Sequence, residues 1–409
     1  MPFRIALSGL NAASTDLEVT GNNIANAATN GFKESRTEFA DVYANAISDT
    51  SSNSAGQGVR VARVAQQFSQ GTIDFTSNNL DLAISGQGFF VLKAPDGTQA
   101  YTRAGAYSVD RDGFVTNSSA DRLQVYGAET GVGGATTFNT GVLKDFQLPT
   151  TPSAPLPTTS MSESINLNSS DTVPPAFLLG DPSTYNSSTS TTVYDSLGNA
   201  HTATLYFRKT ADNTWDQHTY IGSNAVATTE LTFDASGALS LVDGNPSTTS
   251  PPLSYDPGNG ADPIDFTAEF GGMTQYGSAF AVNNLTQDGY TSGRLAGLDI
   301  DPEGVVFARY TNGQSSALGK VAMAKFNNQQ GLRQVGDSNW VESFASGVPQ
   351  LGEAGTSSFG QIQSGALEAS NVDIAAQLVN LITAQRSFQA NAEVISTADA
   401  VTQTIINIR

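Results

Sequence analysis

The chain has 409 residues with 39% hydrophobic content, enough for roughly two to four domains with cores of their own. A formal charge of −19 with a pI near 4.3 argues against a polyanionic partner such as nucleic acid or an anionic membrane surface. The absence of cysteine excludes disulfides, thiolate catalysis and cysteine-based metal sites at once.

No run is long enough for a membrane span. Met1-Pro2-Phe3-Arg4 leads into Ala, Ser and Asn without the apolar core of a secretory signal, so a protein acting outside the cell is expected to leave by another route. Over 6–27, Ala6, Leu10, Ala13, Leu17, Thr20, Ile24 and Ala27 recur at alternating spacings of four and three, a heptad seam on an otherwise polar helix. Three large side chains, Leu10, Leu17 and Ile24, are too few to offset the ordering of that much backbone, so the helix is expected to need neighbours. Asn30-Gly31 supplies a left-handed stop.

After the stop, Phe39, Val42, Tyr43 and Ile47 show helical spacing, followed by a linker at 48–58. Residues 59–64 alternate as a strand, Phe89-Phe90-Val91-Leu92 is a buried strand, and 107–116 is a hairpin around Asp112-Gly113, a pair that supplies the positive φ angles of tight turns. The character changes at Pro149. Residues 149–285 hold twelve of the sixteen prolines and thirteen Asp or Glu against Arg208 and Lys209, a net of −11. Short alternating runs at 191–195, 202–207 and 230–233, with turns at Leu197-Gly198-Asn199 and Ser236-Gly237, predict a separate all-β domain. Strand patterns at 305–310 and 318–326 around Asn312-Gly313 restore the earlier hairpin style, so the acidic domain reads as an insertion.

At the far end, Leu378, Leu381, Gln385, Phe388, Ala392 and Ile395 keep a heptad before a three-residue slip to Ala398, Val401, Ile405 and Ile408, which reads as a stammer in a helix over 370–408. Val379, Ile382 and Ile406 add apolar surface off that stripe, more than one partner helix within the chain can cover. Ordinary two-helix packing on a globular core is one reading of this pattern; burial between copies, hence a polymer, is the sharper one.

Catalytic and metal chemistry find little support. Asp299, Asp301, Glu303 and Gly304 fall at the first, third, fifth and sixth places of a calcium loop, but the twelfth, which needs a bidentate Glu, is Tyr310. An acidic turn after a strand explains the same letters. Only His201 and His218 exist. Gly86-Gln87-Gly88 and Gly131-Val132-Gly133-Gly134 lack a third dinucleotide-binding glycine, Gly319-Lys320-Val321 lacks the Ser or Thr of a phosphate loop, and no Gly-x-Ser-x-Gly elbow occurs. No catalytic, cofactor-binding or metal residue is assigned, and no cofactor is expected.

Three stretches, Leu7-Ser8-Gly9-Leu10-Asn11-Ala12-Ala13, Gly21-Asn22-Asn23-Ile24-Ala25-Asn26 and Thr29-Asn30-Gly31-Phe32-Lys33, resemble the signature of the bacterial flagellar rod and hook axial protein family. Residues 80–90, Tyr101-Thr102-Arg103-Ala104-Gly105 and 365–373 resemble its β domain and its return to the C-terminal helix. The insertion at 149–285 is more like the hook branch than the shorter rod proteins. The resemblance implies export through the flagellar type III apparatus, assembly into a hollow helical tube acting as a universal joint that passes motor torque to the filament, location in the extracellular hook–basal body, and no catalysis. Implied partners are further copies of the chain, the distal rod protein, the hook cap and the hook–filament junction protein, with no nucleic acid and no membrane insertion. An enlarged rod subunit, or a secreted β-domain hydrolase or glycan binder, stay open as alternatives.

The expected fold is mixed and nested: a terminal helical coiled coil at 1–30 and 366–409, a connecting segment at 31–70, a β-rich inner domain at 71–148 and 286–365, and the acidic all-β insertion at 149–285. The expected assembly seam is Leu10, Leu17, Ile24, Leu378, Leu381, Phe388, Ile395, Val401 and Ile405, with Asn22, Asn23, Asn26, Asn30, Gly31, Phe32 and Lys33 as the family motif.

Overall fold

The computed structural model describes residues 2–42, 56–130, 136–356 and 358–407. Tyr43, Ile47, the glycine run 131–134, Ile408 and the side chain of Ile405 lie outside the described residues. The chain divides into two compact units: Met1–Pro149, Gly297–Arg309 and Ser315–Arg409 form the first, Thr150–Ala296 and Tyr310–Gln314 the second. The second unit thus runs eleven residues beyond Leu285, because the strand Ala281–Gln287 pairs with Ser160–Asn168 and Tyr290 bridges back to Leu156.

In the first unit, helix α1 (Pro2–Ala25) and helix α2 (Ile374–Asn407) pack together. A Cβ on Gly9 would meet Asn391, and Asn23 hydrogen-bonds Gln377. Equal steps in opposite directions along the two helices make the pair antiparallel. Asp373 caps α2, its Oδ1 accepting from the Ala375 and Ala376 amides at 2.9 and 3.2 Å. Between the helices and the main sheet the expected helix around Phe39 is absent. Ser35–Asp41 is strand β1, paired antiparallel with Val59–Gln66, strand β2. The apolar run there is too short to separate a period of 3.6 from one of 2, and pairing with β2 decides it. The connecting segment is therefore a hairpin sheet.

The body of this unit is a large sheet whose central path runs through Val305–Tyr310, Ser315–Lys325, Arg122–Thr130, Phe89–Lys93, Gln99–Thr102, Asn339–Val341 and Arg333–Gly336. Phe90, Leu92, Val125, Val306 and Val321 pack on one side, while Phe89, Tyr101, Phe326 and Trp340 form an aromatic cluster. Residues separated by some two hundred positions thus share one core, which is why the intervening sequence reads as an insertion.

The second unit is a β sandwich. A five-stranded antiparallel meander runs in order from Ser187–Tyr194 to Leu239–Val242. A mixed sheet is built on Ser160–Asn168, parallel to Ile264–Glu269 and Thr274–Tyr276 and antiparallel to Ala281–Gln287. Alternate residues such as Leu205, Phe207, Trp215 and Leu231 meet Met161, Ile165 and Phe266 in its core. One carboxyl sits inside that core. Glu163 Oε1 accepts from Gln217 Nε2 at 3.0 Å, and burial raises its carboxyl to about 8 despite that bond.

Candidate assembly interface

Asn23 is the pivot between α1 and the hairpin. Its Oδ1 accepts from the Ser35 amide at 2.9 Å and its Nδ2 donates to the Ser35 carbonyl at 2.7 Å, so one side chain substitutes for a strand partner. The same Nδ2 reaches Gln377 Oε1 at 3.3 Å, and Gln377 Nε2 donates to Glu34 at 2.7 Å. Asn371 closes the circuit: its Oδ1 accepts from the Glu34 amide at 2.7 Å and its Nδ2 donates to the Gln67 carbonyl at 2.8 Å. Asn26 Nδ2 donates to the Asn22 carbonyl and its Oδ1 accepts from Thr29 Oγ1, just past the end of α1 at Ala25, two residues short of the heptad expected over 6–27.

Gly31 follows at φ +68. A Cβ there would strike the Ala104 nitrogen, so the left-handed turn and the close approach both require glycine. Its amide donates to the Glu368 carbonyl at 2.7 Å. Lys33 Nζ then lies 2.6 Å from Glu368 Oε1, and Arg103 Nη1 lies 3.1 Å from Glu368 Oε2. The Ser69 carbonyl and the Gly71 amide complete the cluster. Burial lowers the Lys33 ammonium below its ordinary value and Glu368 offsets part of that; burial likewise lowers the Arg103 guanidinium. Phe32 is buried, Asn30 half-buried and Asn22 exposed. The motif therefore fastens the terminal helices to the β body.

The helix pair distributes the expected seam unevenly. Leu10, Leu17 and Ile24 are half-buried beside buried Ala6, Ala13 and Thr20. On α2 the covered row is Gln377, Leu381, Ala384, Phe388, Asn391, Ile395 and Ala398, an unbroken alternation of four and three. No stammer is present along it. The sequence pattern followed the largest side chains, whereas the covered row also takes in Gln377, Ala384 and Asn391, with Asn391 against Gly9 and Gln377 bonded to Asn23. Leu378 and Val401 stand exposed, off the row facing α1. With Ile374, Val379, Ile382, Val394 and Ile406 they make seven aliphatic side chains of α2, among the described residues, between 47% and 65% exposed.

Asp301 and Gly304 form the tight turn after the strand Leu295–Ile300: the Gly304 amide donates to the Asp301 carbonyl and the Val305 amide to Asp301 Oδ1. His201 Nε2 lies 3.0 Å from Asp195 Oδ2. Burial alone would raise the Asp195 carboxyl, but hydrogen bonds with His201, Asn259 and Asn199 outweigh it and hold the group well below the usual carboxylate range. His218 stacks on Phe177 with centroids 4.1 Å apart. Among the described residues no three His, Asp or Glu gather as a metal site.

Arg103, Glu368, Asn371 and Gln377 escaped selection from sequence. The first three lie inside stretches that carry the family resemblance, but partners 265 and 335 positions apart leave no local spacing signal.

Family profiles match in chain order: flagella basal body rod protein over 3–33, flagellar hook protein FlgE/F/G D1 domain over 83–168, flagellar basal body protein FlaE D2 domain over 166–290, and flagellar basal body rod FlgEFG protein C-terminal over 363–408. The chain is 40% identical to the flagellar hook protein FlgE of Escherichia coli K12 over 100% of both chains, and 32% identical to that of Borreliella burgdorferi over 98% of both. The crystal structure of Helicobacter pylori flagellar hook protein FlgE2 shares the fold, with a TM-score of 0.54 at 15% identity, covering 72% of this chain and 100% of that one. Full-length identity at this level, with four family profiles matched in order along the chain, makes the chain a member of the flagellar hook protein FlgE family.

Proposed function

We propose that the chain is the repeating structural subunit of the bacterial flagellar hook, polymerising into a hollow, flexible tube that passes motor torque from rod to filament. It works as a component of the extracellular hook–basal body and catalyses no reaction. Self-association and neighbouring rod components follow from the family. The finer partners are the distal rod protein at one end, the hook cap and hook–filament junction protein at the other, and the type III export apparatus that delivers each copy.

The observation that carries this reading is the exposed aliphatic set on α2, Leu378, Val379, Ile382 and Val401 among them, beside a helix face already occupied by α1. Full burial of one such side chain is worth about 1.5–3 kcal/mol, so neighbouring copies gain by covering the set. Electron microscopy of the purified chain is the test. Curved tubes are expected; straight, stiff tubes would indicate a rod subunit, and a persistent monomer at high concentration would overturn the reading.

A further inference from the structure

An open groove of about 620 Å³ lies on the β body of the first unit, across the strands Gln99–Thr102, Asn339–Val341 and Arg333–Gly336. Four carboxylates line it, Asp96, Asp121, Asp337 and Glu342, against one basic residue, Arg333. Among the described residues none of the four has a cation within 4.0 Å. Their field reaches inward: burial and then Glu342 push the Tyr101 hydroxyl up to about 12, and burial and then Asp121 raise that of Tyr107 well above its ordinary value.

The groove also holds an unanswered acceptor. Asn339 is 5% exposed; its Nδ2 donates to Asp121 Oδ2 at 3.0 Å, and its Oδ1 accepts from nothing. A buried carbonyl without a donor costs free energy. Beside the groove, two residues beyond Glu342, Phe344 is fully exposed on a turn held by Ser343 Oγ donating to the Gly331 carbonyl and by Asn328 Nδ2 donating to the Ala345 carbonyl. A fixed apolar anchor next to a charged trough is the anatomy of a protein contact.

The same unit displays a face of opposite sign. Arg36, Glu38 and Ala40 share one side of β1 by alternation, and their cross-strand neighbours Ala65, Arg63 and Arg60 share it too. Arg36 and Arg63 side chains are 64% and 57% exposed, and both lean on the single acid Glu38. Three arginines on one sheet face stand out in a chain of net charge −19.

We propose that the groove docks the arginine ladder of β1 and β2 from a second copy of the chain. A guanidinium brings five N–H donors in a planar fork, suited to the carboxylates of this trough. The contact rests on the hook reading and adds to it a polar latch between subunits, separate from the burial of α2. Because both faces keep partial solvent access, the latch weakens as salt rises.

The test is a charge exchange in the full chain, with the concentration needed for tube formation as readout and thermal melting as a check on the monomer. D337K/E342K and R60E/R63E are each expected to raise that concentration by roughly tenfold at low salt and by much less at high salt. Combining all four substitutions should bring it back near the wild-type value. Assembly indifferent to D337K/E342K, or a combined variant no better than either parent, overturns the proposal. So does loss of spermidine binding in D337K/E342K with normal assembly, which would assign the groove to free cations. Wild-type chain that forms no tubes at all counts against the hook reading itself.

Discussion

Lys33 Nζ and Glu368 Oε1 lie 2.6 Å apart across 335 positions of sequence, and neither side chain reaches solvent. The pair brings the segment leaving α1 onto the segment entering α2, with Arg103 adding a second cation from the β body. Desolvation makes such clusters poor sources of net stability, yet removing one member leaves an uncompensated buried charge. E368Q is expected to cost about 3–5 kcal/mol in a urea unfolding experiment on the full chain. An unchanged midpoint would show that Lys33 and Arg103 reach water.

Asn23 supplies both halves of a backbone pairing to Ser35. N23A strands a buried donor and a buried acceptor at a site with 1% exposure, at about 1–3 kcal/mol per group. N23D keeps the acceptor but loses the donor to the Ser35 carbonyl and to Gln377. Amide exchange at Ser35 is expected to speed up strongly in N23A and less in N23D. Equal protection in all three proteins would remove Asn23 from its place as pivot.

Most strands were legible because their turns are local. Asp112-Gly113, Gly198 and Asn312-Gly313 sit where positive φ is needed, and Gly113, Gly198 and Gly313 adopt it. What misled was anything decided at long range. Phe39 reads equally as helix or strand until β2 pairs with it, and the covered row of α2 was hidden because Gln377 and Asn391 are polar and Ala384 is small beside the larger Leu378 and Val379. The motif around Asn23 and Lys33 was visible as letters, but its partners Gln377, Asn371, Glu368 and Arg103 follow from topology alone.

Glu163 makes the second unit sensitive to pH. Its carboxyl is raised to about 8 in the folded chain against a value of 4.5 in the open one, so between those values the folded state holds a proton that the unfolded state has released. Stability therefore falls as pH rises from about 4.5 to about 8 and levels off above, by up to roughly 5 kcal/mol at 1.36 kcal/mol per pH unit. Glu163 Oε2 and Gln217 Oε1 are both buried without partners, and a carboxamide at position 163 carries the donor that an ionised carboxylate lacks. E163Q is expected to flatten the pH dependence and to raise the melting temperature at pH 9 more than at pH 5. A parallel decline in both proteins would assign the pH effect to other groups.

The exposed side of α2 separates folding from assembly. Val379 and Ile382 are 63% and 48% exposed, so carboxylates there remain hydrated in a lone copy, and V379D/I382D should melt within about 0.5 kcal/mol of the parent chain. In a tube the same positions are to be covered by neighbouring helices, where an unpaired carboxylate costs several kcal/mol. Every subunit repeats that defect, so the penalty recurs along the whole polymer and long tubes are expected to disappear. L17D is the contrasting case: Leu17 is half-buried on α1 within one chain, so its substitution should lower monomer stability and block assembly together. Sedimentation and electron microscopy, paired with melting curves of the same samples, distinguish the two patterns. Tubes of normal length from V379D/I382D would mean that this side of α2 faces water in the polymer and that the subunits associate through another surface.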